Sequence, residues 1–338
     1  MTTGIVLFFP VALACLAAAY TAWRSGRISA QSKPDGSFAV VDGVKLHYHF
    51  VSAGEGNQDK PVLVFLHGAG GNAYDTKLAF LEAFRGRYPL LFPDRPGLGH
   101  SDRRSPEHNS PAGQAQAIAA LLEHLDIRSA IVIGHSFGSA VAAALGLVAP
   151  ERVKGLAFLA PAAYPWPGGV TWYHTVAALP VIGPLFCRTV TLPVAERMAA
   201  RAIEVTFHPD PPPSGYATAI RLPLLFRPGS FRANSSDIAA LNGALAEQSK
   251  RHTALRQPAL IVTGTEDTIV WPSIHSEGLL KDLPNAELLV LDNAGHMPHH
   301  THTNEIVPAL ERLAARVQED AAETGGARQP ARGQPEPA

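Results

Sequence analysis

Short continuous apolar runs recur along the chain, and between them apolar residues return at helical spacing. The runs at residues 61–67, 88–93, 130–133, 153–159, 259–263 and 288–291 have the length and β-branched content of strands buried on both faces. Two earlier segments, 37–41 and 44–52, meet at Asp42-Gly43, a hairpin signal. Segments 74–84, 112–125, 139–149 and 304–317 read as helices. Strands alternating with helices predict an α/β protein with a mostly parallel sheet covered on both faces. From Pro161 to about Leu255 the alternation stops. Apolar helical pieces there are interrupted by Pro165, Pro167, Pro180, Pro184, Pro193, Pro211-Pro212-Pro213, Pro223 and Pro228.

The two ends differ from this middle. No charge occurs from Gly4 to Trp23, a stretch long enough for a hydrocarbon core of roughly 30 Å, and Pro10 within it is tolerated in membrane helices. Arg24, Arg27 and Lys33 follow the stretch and no basic side chain precedes it, the reverse of a secretory signal. Residues 1–30 are therefore expected to be an uncleaved membrane anchor, with the downstream domain on the cytoplasmic side. Two alternatives stay open. One is a signal peptide cleaved near Ala30, which makes the protein secreted or periplasmic. The other is a lipid-modified Cys15, although Ala12 lacks the large aliphatic side chain usual before such a cysteine. Residues 319–338, rich in Ala, Gly, Pro and Gln, are expected to be a disordered tail because they hold too little apolar surface to order themselves.

The candidate chemistry centres on Gly134-His135-Ser136-Phe137-Gly138. Strand, Gly-x-Ser-x-Gly, helix is the context of a nucleophile elbow. The serine occupies strained backbone with its Oγ raised above the sheet edge, and glycines two residues away on each side leave room for strand and helix. A helix starting at Phe137 offers a backbone N–H to a developing oxyanion.

With His67-Gly68 after the third strand, the loop from Asp94 to Asp102, and two loops near Asp267 and His296, the elbow resembles the α/β-hydrolase superfamily over residues 38–317. The resemblance implies the α/β-hydrolase fold: a mostly parallel eight-stranded sheet flanked by helices, with a helical cap inserted after strand 6. The core is then 37–160 with 256–318, and the cap or lid 161–255. Cap aromatics such as Trp166, Trp172 and Phe226 suit either plain packing of cap on core or an apolar pocket under a lid. Gly68, His135 and Met297 are further pocket candidates.

A serine hydroxyl needs a general base within hydrogen-bond reach. His296 follows the last apolar run through Asp292-Asn293-Ala294-Gly295, and Gly295-His296-Met297-Pro298 is similar to the superfamily's histidine loop. The imidazole needs a carboxylate to fix its tautomer. Asp267, in Gly264-Thr265-Glu266-Asp267, matches the family's acid better than Glu266 does. Some relatives carry the acid after strand 6, where this chain reads Ala160-Pro161-Ala162-Ala163. The order Ser136, Asp267, His296 is the one expected of the fold. Ala69 is the expected second oxyanion donor beside Phe137, with Gly70 and Gly71 letting its loop approach. His299, His300 and His302 lie near His296, but no cysteine or carboxylate spacing joins them, so neither metal nor cofactor is expected. Asp94, Arg95 and Asp102 are assigned structural roles.

Composition narrows the function classes. A net charge of −1 gives no bulk attraction to nucleic acid. Two cysteines, Cys15 and Cys187, set no disulfide framework. Relatives in the resembled superfamily that open epoxides or remove halides use a carboxylate at this position, so the resemblance, with Ser136 there, disfavours those activities. The expected activity is hydrolysis of a small-molecule carboxylic ester, lipophilic if anchor and lid act together. C–C bond, thioester or amide hydrolysis by the same residues stays open, as does a ligand-binding protein that keeps the triad with little turnover. Oligomeric state is not legible in the sequence.

Overall fold

The computed structural model describes residues 2–326, with side chains from Val11 to Glu323. Helix α1 (Thr2–Gln31) leads into the hairpin of β1 (Ser37–Val41) and β2 (Val44–Val51). Then follow β3 (Val62–Leu66), α2 (Ala73–Phe84), β4 (Leu90–Pro93), α3 (Pro111–His124), β5 (Ala130–His135), α4 (Phe137–Val148) and β6 (Val153–Leu159). Between β6 and β7 lies the cap: α5 (Trp172–Ala178), α6 (Ile182–Phe186), a π turn (Cys187–Thr191), α7 (Leu192–Phe207), the short α8 (Tyr216–Ala219) and α9 (Pro223–Phe226), and α10 (Pro228–Gln248). The chain continues through β7 (Ala259–Gly264), α11 (Pro272–Asp282), β8 (Ala286–Leu291), α12 (Pro298–Thr301) and α13 (Thr303–Gly326). Several cap prolines read as breaks do interrupt the chain, but they do so by opening helices: Pro193, Pro223 and Pro228 each sit in a first turn, where the missing N–H costs nothing.

The eight strands form one sheet in the order β1-β2-β4-β3-β5-β6-β7-β8. The β1–β2 and β2–β4 pairs are antiparallel and the rest are parallel, so the mostly parallel eight-stranded sheet is the architecture found. Because side chains alternate across a strand, β3 feeds both layers. Val62, Val64 and Leu66 join one core with α3 and α4, while Leu63 and Phe65 join the other with α2 and α13. The parallel strands all deliver their C-terminal ends to the same edge, beneath the cap.

Both ends carry long helices. From Ala17 onward, α1 rests one face on the cap: Thr21 and Ile28 are buried, and Glu196 of α7 accepts from Arg24 Nε at 2.6 Å and from Tyr20 at 3.0 Å. Among the described residues no single helix is long and apolar enough to cross a membrane. From Ala17 on, α1 turns polar side chains to protein, while side chains 4–10 of the uncharged run, on which the anchor expectation also rests, lie outside those described. At the other end, α13 continues to Gly326, so 319–326 is helix rather than disordered tail. Its inner face (Ile306, Leu310, Leu313, Val317) anchors it on the sheet, and the alanines beyond prolong it at low entropic cost. The remaining tail, 327–338, lies outside the described residues.

Candidate active site

β5 ends at His135 and α4 begins at Phe137, so Ser136 alone makes the turn, with φ 51° and ψ −116°. That left-handed backbone is strained for a residue with a Cβ. The turn leaves no room beside it. A Cβ at Gly134 would stand 2.3 Å from the carbonyl oxygen of Gly138, and one at Gly138 would stand 2.2 Å from that of Leu66. The Ser136 N–H donates to Leu159 O at 3.0 Å, which fixes the elbow against β6.

Asp267 follows β7, where its Oδ1 accepts the backbone N–H groups of Ile269 and Val270, both at 2.9 Å. Its Oδ2 is left for His296 Nδ1 at 2.9 Å, and His296 Nε2 lies 3.0 Å from Ser136 Oγ. All three side chains are buried, whereas Glu266 is exposed. The structure thus brings Ser136, His296 and Asp267 into one hydrogen-bonded line. Among the described residues, the N–H groups of Ala69 and Phe137 donate to no protein acceptor, while Gly70 N–H is taken by Asn234 Oδ1 at 2.6 Å.

A family model for the alpha/beta hydrolase fold matches residues 61–303, which spans this whole constellation. The chain belongs to the alpha/beta hydrolase family. An uncharacterized protein of Mycobacterium tuberculosis is 25% identical over 292 residues, covering 83% of this chain and 81% of that one. A 2-hydroxy-6-oxononadienedioate/2-hydroxy-6-oxononatrienedioate hydrolase of Burkholderia vietnamiensis is 26% identical over 270 residues, covering 78% of this chain and 89% of that one. The crystal structure of the enol-lactonase from Burkholderia xenovorans matches with a TM-score of 0.67 at 20% identity, covering 82% of this chain and 100% of that one. At that identity the likeness concerns the fold alone.

The hydrolase's pocket candidates scatter. Gly68 borders the nucleophile: a Cβ there would lie 2.7 Å from His135 Nδ1 and 3.3 Å from Ser136 Cβ. Met297 packs on Phe207, Tyr216 and Ile220 of the cap and its loops. Trp166 pairs through its backbone with Asn242 and sets its ring against His275, in the packing role. Trp172 is 67% exposed and Phe226 joins a separate cluster with Ile28, Tyr74, Leu192 and Leu224. These last two do not gather at Ser136. The short α5 buries only Ala177, which turns Trp172 outward, and α9 serves the contact with α1.

Sequence reasoning missed the polar bridge from cap to oxyanion loop. On the inner face of α10, Asn234 holds Gly70 and Asp237 meets Arg95 at 3.1 Å and Arg103 Nη2 at 2.5 Å. Fully buried Arg95 also donates to His67 O and Gly68 O, both at 2.9 Å, and lies over the Phe137 ring at 4.4 Å. Burial pushes Arg95 down to about 10 and Asp237 upward, so each depends on the other for its charge. The available signal was a row of polar residues at helical spacing with Leu241 and Leu245. Leu225, beyond any such signal, would lie 3.5 Å from a Cβ at Gly70.

The second missed residue is Asp75 on α2. It gathers His300 at 2.9 Å, His299 at 3.4 Å and the Tyr216 hydroxyl at 2.8 Å, tying the histidine loop to the cap. Burial works against its charge, but His300 and His299 outweigh it and hold the carboxyl well below the usual range. Asp75, His299 and His300 have metal-ligand spacing, as do Asp35, His47 and His49. In the first group the carboxylate is already satisfied by three hydrogen bonds. In the second, Asp35 also faces Arg221.

Proposed function

We propose that the chain is a serine hydrolase that cleaves lipophilic carboxylic esters through an acyl-enzyme. The observation that carries this reading is His296 bridging Ser136 Oγ at 3.0 Å and Asp267 Oδ2 at 2.9 Å. Asp267 holds the Nδ1–H, which leaves the Nε2 lone pair facing the serine. His296 takes the Oγ proton as Ser136 attacks the ester carbonyl. The oxyanion rests on the N–H groups of Ala69 and Phe137, and one such donor is typically worth about 10²–10³ in rate. His296 then protonates the departing alkoxide, deprotonates a water that attacks the acyl carbonyl, and returns the proton to Ser136 Oγ.

A second reading is C–C bond hydrolysis. It is favoured by the 26% identical relative, whose name places it on 2-hydroxy-6-oxo dienedioates. The triad geometry serves either reaction, since the pocket sets the leaving group.

The test is hydrolysis of p-nitrophenyl esters of increasing chain length by wild type and Ser136→Ala, beside a 2-hydroxy-6-oxodienoate. Wild-type turnover rising with acyl length and lost in Ser136→Ala is the expected result. Turnover of the dienoate alone puts the second reading in its place. Fluorophosphonate labelling of Ser136 with no turnover of either substrate makes the chain a binding protein.

A further inference from the structure

Exposed apolar side chains concentrate on α1 and the adjoining outer face of the cap. On α1, Leu13, Leu16 and Trp23 lie on one outward stripe, 58%, 69% and 56% exposed. From Val11 to Leu16 every residue is exposed, so the helix there is apolar around its whole circumference. On the cap, Val181, Ile182 and Leu185 are 84%, 57% and 62% exposed. α1 lies against the π turn that joins α6 to α7, and Glu196 of α7 holds Tyr20 and Arg24, so the two surfaces adjoin. Helices α5 and the run from Ile182 to Phe207 are together apolar enough for a membrane span but are bent by 113°. That shape suits lying along a lipid surface rather than crossing it.

Two observations select the occupant. A helix apolar all round needs apolar surroundings all round, which a bilayer supplies and which the described residues of this chain do not supply at Val11–Leu16. The chain also changes character along α1: Trp23 closes the apolar stripe, and the guanidinium of Arg27 sits 5.3 Å from its ring centroid. Aromatic then basic is the order of a lipid–water boundary. Around the patch Arg188, Arg197 and Arg201 are exposed, against two carboxylates, Glu196 engaged by Arg24 and Glu204 paired with Arg201 at 3.3 Å. The local charge is thus basic on a chain of net charge −1, complementary to anionic headgroups.

We propose that α1 and the α6 side of the cap dock together on an anionic lipid bilayer. The turns of α1 before Ala17 enter the acyl region, and the cap lies at headgroup depth. This does not depend on the reaction the site performs.

Flotation of the full chain with vesicles tests it, using phosphatidylcholine alone and with added phosphatidylglycerol. The wild type is expected to float with both, more strongly with the anionic vesicles and less at high salt. Val181→Asp with Leu185→Asp, both already at the surface, is expected to lower the vesicle affinity about tenfold with an unchanged melting temperature. Two results overturn the proposal: cap variants that float as the wild type does, or a wild type that ignores vesicles and forms a dimer by light scattering. The second assigns the patch to another copy of the chain.

Discussion

His135 donates its Nε2 proton to the carbonyl oxygen of His296 at 2.8 Å. The residue before the nucleophile thus holds the backbone of the general base proposed to activate it. Burial and the neighbouring His299 and His296 keep His135 well below the ordinary histidine range, hence neutral with a single N–H. His135→Phe keeps the ring and removes that donor. One neutral hydrogen bond is worth about 1 kcal/mol, so kcat on a p-nitrophenyl ester is expected to fall about fivefold with KM little changed. A variant with wild-type kcat removes His135 from the positioning of His296.

Asn234 reaches from the cap to Gly70, one residue beyond the proposed donor Ala69. Asn234→Ala frees the Gly70 N–H and loosens the loop that presents the oxyanion donor. The expected outcome is a fall of about tenfold in kcat/KM, from weakened use of a donor rather than its loss. Steady-state kinetics beside a thermal melt decides it. If the melting temperature drops while kcat/KM holds, Asn234 serves only to attach the cap.

Asp237 offsets the fully buried charge of Arg95. Asp237→Ala leaves that guanidinium without its counter-ion in a site closed to water, a change that typically costs about 3–5 kcal/mol. Arg103→Ala removes a partner that is itself partly exposed and is expected to cost less. Urea unfolding of both variants reads the order, and equal losses would deny Arg95 its special dependence.

The elements were legible because each depends on local pattern. The strand runs, the hairpin at Asp42-Gly43 and the elbow glycines follow from pleat alternation, turn geometry and steric exclusion acting within a few residues. The line from Ser136 through His296 to Asp267 was legible for a related reason, since each residue lies on the turn or loop that follows a strand at the same sheet edge. Asn234, Asp237 and Asp75 were not. Their roles depend on which cap helix lands on which loop, a long-range packing choice that proline spacing does not encode. Trp172 and Phe226 failed for the same reason: an aromatic in a cap suits inside and outside equally until the helix orientation is known. The anchor reading rests on apolar length alone and does not register that Thr21, Arg24 and Ser25 turn toward protein, while the side chains at 4–10, on which it also rests, lie outside those described.

Acid should unfold this protein early. His67 and His299 are fully buried, and burial, the largest cause for each, pushes both down to about 4 from the ordinary 6.5. His67 Nε2 accepts the Arg95 backbone N–H at 3.0 Å, so protonation breaks a buried bond. Between pH 6.5 and 4 the unfolded chain binds these protons and the folded chain does not, so stability is greatest above that window and falls as pH drops through it. Each such histidine contributes a slope of up to about 1.4 kcal/mol per pH unit. Asp75 acts lower: its depressed carboxyl loses its stabilising charge only below the usual carboxylate range. The melting temperature is therefore expected to fall steadily from pH 7 to pH 5, and His299→Gln to flatten the fall. A melting temperature constant across that interval would show that both imidazoles accept protons in the folded state.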